Sequence, residues 1–173
     1  MKQRTLLVTG CSRGIGLAIT RRLLAEGHRV VGISRLTPGI ESARFTHMEL
    51  DLSDLDKLPD ALRDVSKQHP DINAVILNAG IGRFGSLEQF SAHQIRQLID
   101  LNLTCHVLLA REFLPKLKRQ GSGDLVFIGS ESALRGGRYG SIYAATKFGL
   151  RGLVQALQEE CSASGIRVGI VNP

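Results

Sequence analysis

Leu6 to Gly16 reads LLVTGCSRGIG, and the whole chain takes its order from this stretch. A short apolar run, Leu6-Leu7-Val8, ends in Thr9 and Gly10, and three residues later Gly14-Ile15-Gly16 opens a helical pattern. The order is strand, glycine turn, helix. Ile15, Ala18, Ile19, Arg22 and Leu23 then recur at helical spacing, with Arg22 alone breaking the apolar face. The glycines allow a tight turn and close approach of a ligand to the backbone, while the opening helix presents unpaired N–H groups and the positive end of its dipole. Such a turn suits a phosphate. A tight strand-to-helix loop without a ligand has the same composition, so the turn by itself leaves the matter open. Its spacing, G-x-x-x-G-x-G, is neither G-x-G-x-x-G nor the phosphate loop in which Lys follows the last glycine.

The chain has 173 residues, a net charge of +6 and 43% hydrophobic residues, as expected of one soluble globular domain spanning 1–173. No apolar run is long enough to span a bilayer, and the start MKQRTLLVTG has no long apolar leader, because its hydrophobic stretch is already the first strand. The expected location is the cytoplasm, with no membrane partner. Cys11, Cys105 and Cys161 are scattered, which indicates free thiols rather than a disulfide framework or a zinc site. Cys11 lies in the glycine turn, where a helix N-terminus could favour its thiolate; an ordinary small loop residue is the competing reading. The basic residues are dispersed with no aromatic stripe among them, so nucleic acid is not an expected partner.

Short apolar segments alternate with helical ones throughout. Strands are predicted at Arg29–Ile33, Phe45–Leu50, Ala74–Leu77, Leu125–Ile128 and Ile166–Val171. Helices are predicted from about Pro59, with Leu58, Leu62 and Val65 on one face, from Ser91 to about Arg119, and from about Ile142 to Cys161. Ser91-Ala92-His93-Gln94 has the form of a capping box. This alternation predicts an α/β fold: a Rossmann-like, doubly wound parallel sheet with helices on both faces. Ligands of such sheets sit beyond the carboxyl ends of the strands. Those ends read Thr9-Gly10, Ser34-Arg35, Asp51, Asn78-Ala79-Gly80, Ser130 and Asn172, and all are small or polar.

With TGxxxGxG at the first turn, NAG at Asn78-Ala79-Gly80 and Y-x-x-x-K at Tyr143 to Lys147, the chain resembles the short-chain dehydrogenase/reductase family from Thr5 to Pro173. The resemblance implies that Gly10, Ser12, Arg13, Gly14, Ile15 and Gly16 hold the cofactor's phosphates. It places Asp51 and Leu52 against adenine and Asn78, Ala79 and Gly80 along the adenosine side. Dinucleotide folds for NAD carry an acid about twenty residues past the glycines. Here Ser34 and Arg35 stand instead. A carboxylate would repel the additional phosphate of NADP, whereas Arg35, with Arg13 as a second cation, can grip it, so NADP(H) is the expected cofactor.

Tyr143 and Lys147 are four apart and share one helix face. Such a pair is common on solvated helices; its interval from Ser130 is what matches the family. A phenol titrates near about pH 10, and a cation about 4 Å away supplies roughly 4 kcal/mol at an effective dielectric near 20, enough to bring it into the neutral range. The resemblance makes Asn102, Ser130, Tyr143 and Lys147 a catalytic tetrad. It implies reversible hydride transfer between NADP(H) and a small-molecule carbonyl or secondary alcohol, with no metal. Asn102 falls on the stripe of Ile95, Leu98 and Ile99, where the alternative is an amide satisfied by neighbouring backbone; His106, a turn on, is read as packing. Arg83-Phe84 and Arg135 to Tyr139 are expected to border the substrate pocket.

Two other readings stay open: a non-catalytic NADP-sensing or regulatory protein of the same fold, and an epimerase or dehydratase with a similar Tyr and Lys. The family resemblance further implies a homodimer or homotetramer, with Arg111, Phe113 and Leu114 on one helix and Phe148, Leu153 and Leu157 on another as contact residues, although the intramolecular core has an equal claim on the apolar ones. In the family, Asn172-Pro173 leads into a substrate lid and a further edge strand, so the chain is expected to be C-terminally incomplete and to reduce carbonyls poorly by itself.

Overall fold

The computed structural model describes residues 3–173. Six strands form one parallel sheet: β1 (Thr5–Thr9), β2 (Arg29–Ser34), β3 (Phe45–Glu49), β4 (Ile72–Leu77), β5 (Gly123–Ile128) and β6 (Ile166–Val171). Their order is β3-β2-β1-β4-β5-β6. The chain therefore winds outward from β1 to β3, then starts again at β4 on the other side of β1. Connections leave in opposite directions above β1 and β4, and this divergence opens a crevice at the carboxyl ends of those strands.

Alternation along the strands sends successive side chains to opposite faces. Leu7, Val31, Val75, Leu125 and Phe127 join the larger core, which α2 (Leu58–Gln68), α4 (Cys105–Gln120) and α5 (Ser141–Cys161) complete. Leu6, Val8, Val30, Ala74 and Ile76 join a smaller core under α1 (Gly14–Ala25). Leu58, Leu62 and Val65 are the buried face of α2, as their spacing predicts, and Pro59 sits in its first turn, where its missing N–H costs nothing.

Two helices differ from expectation. The face that α1 buries is Gly16, Thr20 and Leu24, while Ile15 is 48% exposed and Ala18 is exposed. The stripe is rotated by one residue because α1 comes close to the sheet, where small side chains fit; Thr20 Oγ1 folds back onto the Gly16 carbonyl at 2.8 Å. The long helix begins at the predicted capping box, with Ser91 Oγ accepting from Gln94 N and the Gln94 side chain accepting from Ser91 N. It is not uniform, however: α3 (Ala92–Ile99) and α4 are joined by a π-turn at Asp100–Thr104, centred on Asn102.

Of the residues open to either a subunit contact or the core, Phe113, Leu114 and Leu157 belong to the intramolecular core and Leu153 packs against it, whereas Phe148 is 42% exposed and Arg111 is exposed. Among the described residues β6 has one sheet neighbour, β5, and no helix is long and apolar enough to cross a membrane.

Candidate functional site

A crevice of about 490 Å³ lies at the carboxyl ends of the strands. Its lining includes Gly10, Ser12, Arg13, Gly14, Ile15, Ser34, Arg35, Asp51, Leu52, Asn78, Ala79 and Gly80 at one side and Ser130, Tyr143 and Lys147 at the other. Of the residues expected to bind cofactor or form the tetrad, Gly16 and Asn102 lie outside the lining and act from behind it; Arg83, Phe84 and the segment from Arg135 to Tyr139, expected to border the substrate, also lie outside it.

A Cβ at Gly16 would run into the Gly10 carbonyl oxygen and the Asn78 amide, so glycine there lets α1 close against β1. Gly14 has a φ of 56° and open space where a Cβ would stand, so the turn is backbone on its crevice side. The first turn of α1 contains no acidic residue, and the Arg13 side chain makes no capping hydrogen bond. Its leading N–H groups and dipole thus face the crevice uncancelled, an environment that fits a pyrophosphate. Thr9 and Asn78 hold this wall rigid. Thr9 Oγ1 accepts from Asn78 N and Ala79 N at 3.0 and 3.1 Å, and Asn78 Nδ2 donates to Thr9 O at 2.9 Å.

At the far side of β2, Arg35 Nη1 is 3.9 Å from Asp51 Oδ2, and both side chains are well exposed. A contact so long and so wet holds Arg35 weakly. Burial works to raise the Asp51 carboxyl, but the Ser53 hydroxyl and N–H, aided by Arg35, keep it below its ordinary value. Ser34 is buried and its hydroxyl is bonded to protein groups. Cys11 is buried beside it and burial pushes its thiol up, so the reactive-thiolate reading of Cys11 does not hold. All three cysteines are free.

Lys147 comes from the buried face of α5 and is only 4% exposed. Its Nζ donates to the Ile128 carbonyl at 2.9 Å and stands 5.6 Å from the centre of the Tyr143 ring. Burial lowers its pKa to about 8, against a small opposing influence of Cys105. Ser130 is oriented from both sides. Its N–H donates to Asn172 Oδ1 at 3.1 Å, while its Oγ accepts from Ser132 N at 3.2 Å, which leaves the hydroxyl hydrogen to point elsewhere. Asn172, given no role toward Ser130 by the sequence, thus positions it. The Phe84 ring packs on Tyr143 with centroids 5.6 Å apart, and Gly85 N donates to Tyr139 O at 2.8 Å, so the two loops expected to border the substrate region do meet at Tyr143.

Asn102 is fully buried and grips the backbone of one residue, Ile81, reciprocally. Its Oδ1 accepts from Ile81 N at 2.9 Å and its Nδ2 donates to Ile81 O at 2.8 Å. One amide hydrogen and one lone pair remain uncommitted among the described residues. The partner is therefore the loop after β4 and not neighbouring helix backbone, and the π-turn is where the helix opens to reach it. His106 is fully buried with Nε2 at 2.8 Å from Ala79 O. Burial, then the Lys147 charge, lower its pKa to about 3, so it is a neutral ring that donates to that carbonyl and supports the crevice wall. His47 escaped the sequence reading altogether; the signal available was its alternation with Phe45 along β3, beside Ser34.

Residues 4–173 match the family model for short chain dehydrogenase. A 3-oxoacyl-(acyl-carrier-protein) reductase, MabA, of Mycobacterium avium is 31% identical over 170 residues, which cover 98% of this chain and 66% of the relative. A short-chain dehydrogenase structure from Streptomyces avermitilis superposes with a TM-score of 0.94 at 30% identity, covering 99% of this chain and 65% of that one. A metagenomic short-chain oxidoreductase solved in complex with NADP superposes with a TM-score of 0.89 at 32% identity, covering 98% and 81%. The chain thus spans slightly under two thirds of the length of the first two.

Proposed function

The chain belongs to the short-chain dehydrogenase/reductase family, and on that premise we propose that it is an NADP(H)-dependent oxidoreductase acting on a carbonyl or secondary alcohol. One observation carries the reading: a single crevice is lined by a bare-backbone glycine turn at one side and by Ser130, Tyr143 and Lys147 at the other. The glycine turn and the leading N–H groups of α1 would hold the pyrophosphate, Asp51 and Leu52 would border the adenosine, and Lys147 would bond the ribose hydroxyls. A dinucleotide held there would supply the hydride chemistry.

Tyr143 gives a proton to the carbonyl oxygen in reduction and recovers it in oxidation. Ser130 donates its free hydroxyl hydrogen to the same oxygen and fixes its position. Lys147, held by Ile128 O, presents its remaining N–H groups and its charge beside the phenol ring, which favours ionisation of the phenol. Asn102 holds the loop at Ile81 and keeps one donor and one acceptor for a proton path to solvent.

NADP is favoured over NAD because no acid ends β2 and because Arg35 and Arg13 both border the crevice. The NADP complex of the metagenomic relative is in keeping with this. The substrate class follows the relatives only broadly, so a panel of ketones, aldehydes and a 3-oxoacyl thioester, read by NADPH absorbance, is the direct test. Turnover of none of them, with NADPH bound, would refute the enzymatic reading in favour of a sensor. Exposed Ile99, Val107 and Phe148 on α3, α4 and α5 support a homodimer or homotetramer, and a monomer at micromolar concentration by light scattering would contradict it.

A further inference from the structure

Ser34 ends β2, where a side chain that selects the cofactor would be sought, yet its oxygen has no capacity left. It lies 2.8 Å from Leu36 O, 3.0 Å from His47 Nε2 and 3.2 Å from Cys11 Sγ. A carbonyl can only accept, so the single hydroxyl hydrogen goes to Leu36 O. The other two contacts must then be donated to Ser34, by His47 Nε2–H and by the Cys11 thiol. This assigns the His47 tautomer: Nε2 carries the proton and Nδ1 the lone pair, which takes a hydrogen from Thr37 Oγ1 at 3.3 Å. The result is a closed chain, Thr37 to His47 to Ser34 to Leu36, that staples the turn 34–37 to β3. The Phe45 ring stacks with the imidazole, centroids 6.4 Å apart, and keeps it from swinging away. Gly32, the register partner of His47, completes the fit, for a Cβ there would approach both Cys11 Sγ and the Phe45 ring to 2.7 Å.

We infer that His47 is a positioning residue for cofactor discrimination: it does not line the crevice, but it shapes the turn from which Arg35 reaches an additional phosphate. The inference rests on the NADP reading above and adds what makes that reading work. Arg35 cannot be aimed by Asp51, since their contact is 3.9 Å long and exposed. Its direction comes from the backbone of the stapled turn. Ser34, correspondingly, acts as the centre of the staple and not as a phosphate ligand.

The test compares NADPH and NADH affinities, by quenching or transfer of nicotinamide fluorescence, in the wild type, His47→Leu, His47→Gln and Thr37→Val. His47→Leu removes the donor to Ser34 and is expected to reduce the NADPH-to-NADH affinity ratio about fivefold, mostly through NADPH. His47→Gln can still donate to Ser34 and is expected to restore most of the ratio. Thr37→Val, which keeps side-chain shape and so guards against a folding artefact in the leucine variant, should shift the ratio in the same direction by about twofold. Deuterium exchange at residues 34–37 should rise in His47→Leu and Thr37→Val, and less in His47→Gln, a change that a general loss of stability would not confine to that turn. A wild type that prefers NADPH and a leucine variant with the same ratio overturn the role of His47 alone. A wild type with no preference for NADPH overturns the cofactor reading, and this inference with it.

Discussion

The two ends of the sheet use charge in opposite ways. At the amino ends of the strands, Asp124 and Asp71 are each held by direct donors, arginines among them. Asp124 accepts from Arg167 Nε at 2.6 Å and Nη2 at 3.0 Å and lies 2.6 Å from Arg4 Nη2; Asp71 accepts from Thr5 Oγ1 at 2.6 Å and Arg29 Nη1 at 3.0 Å. Burial works to raise both carboxyls, but these donors hold them below their ordinary values. At the carboxyl ends, Lys147 is buried with a neutral carbonyl as its hydrogen-bond acceptor, Ser130 keeps its hydroxyl hydrogen, and Arg35 is only loosely paired. Satisfied charges strengthen a fold; unsatisfied ones are available to a ligand. One end is thereby built to hold strands together and the other to bind.

The sharpest way to break this contrast is to alter the binding end and look for a loss of stability. Tyr143→Phe is expected to lower kcat by roughly a thousandfold, within the range of acid–base catalysis, with cofactor affinity and melting temperature nearly unchanged; near wild-type turnover would remove Tyr143 from the chemistry. Lys147→Met should lower both kcat and cofactor affinity while the apo protein keeps or gains stability, because a buried charge is replaced by an apolar chain of similar length. A pH profile sharpens this. The Lys147 pKa falls from 10.5 to about 8 in the fold. Between those values the unfolded chain holds a proton that the folded chain has released, so wild-type stability contains a component that rises with pH. The methionine variant should lack it in denaturant titrations at pH 8 to 10.5.

Arg35→Asp should reduce the NADPH-to-NADH affinity ratio by roughly tenfold to a hundredfold, as for loss of a charge-assisted bond, with no effect on the melting transition. At the opposite end Asp124→Asn is expected to cost about 1–3 kcal/mol of stability, a value discounted because Arg167 can return to water, and to leave kcat/KM unchanged. Since its folded pKa is depressed, the stability that Asp124 contributes is present above the ordinary carboxyl pKa and is lost as pH falls through the folded value; acid titration of the asparagine variant should show a shallower loss. Smallest of all, Arg63→Ala removes a surface pair with Asp60 whose partners are 56% and 79% exposed, and urea midpoints should move by no more than the equivalent of about 0.5 kcal/mol.

Where the sequence reading failed, it failed for reasons that local spacing cannot see. In α1, Ile19 and Leu23 do pack against the smaller core, but the fully buried line is one position further on, at Gly16, Thr20 and Leu24, because a sheet this close to the first turn admits glycine and not Ile15. For Phe113, Leu114 and Leu157 the sequence leaves core and subunit contact equally open, and only packing decides for the core. The helix from Ala92 to Gln120 shows no sequence break at Asn102, and its π-turn exists because Ile81, on another element, is there to be gripped.

The sequence by itself determined the strand and helix alternation, the glycine turn, the capping box at Ser91 and the Tyr143–Lys147 spacing. Each depends on residues within a few positions of one another, where periods of two and 3.6 and the chemistry of turns operate directly. The tertiary structure alone decided that Asn172 holds Ser130, that Ile128 O takes Lys147, that His47 completes the hydrogen bonding of Ser34 and that Arg4 and Arg167 share Asp124. These partners are distant in the chain. They meet because strand order brings their backbones together, and a buried donor or acceptor must then bond to whichever group the sheet has placed beside it.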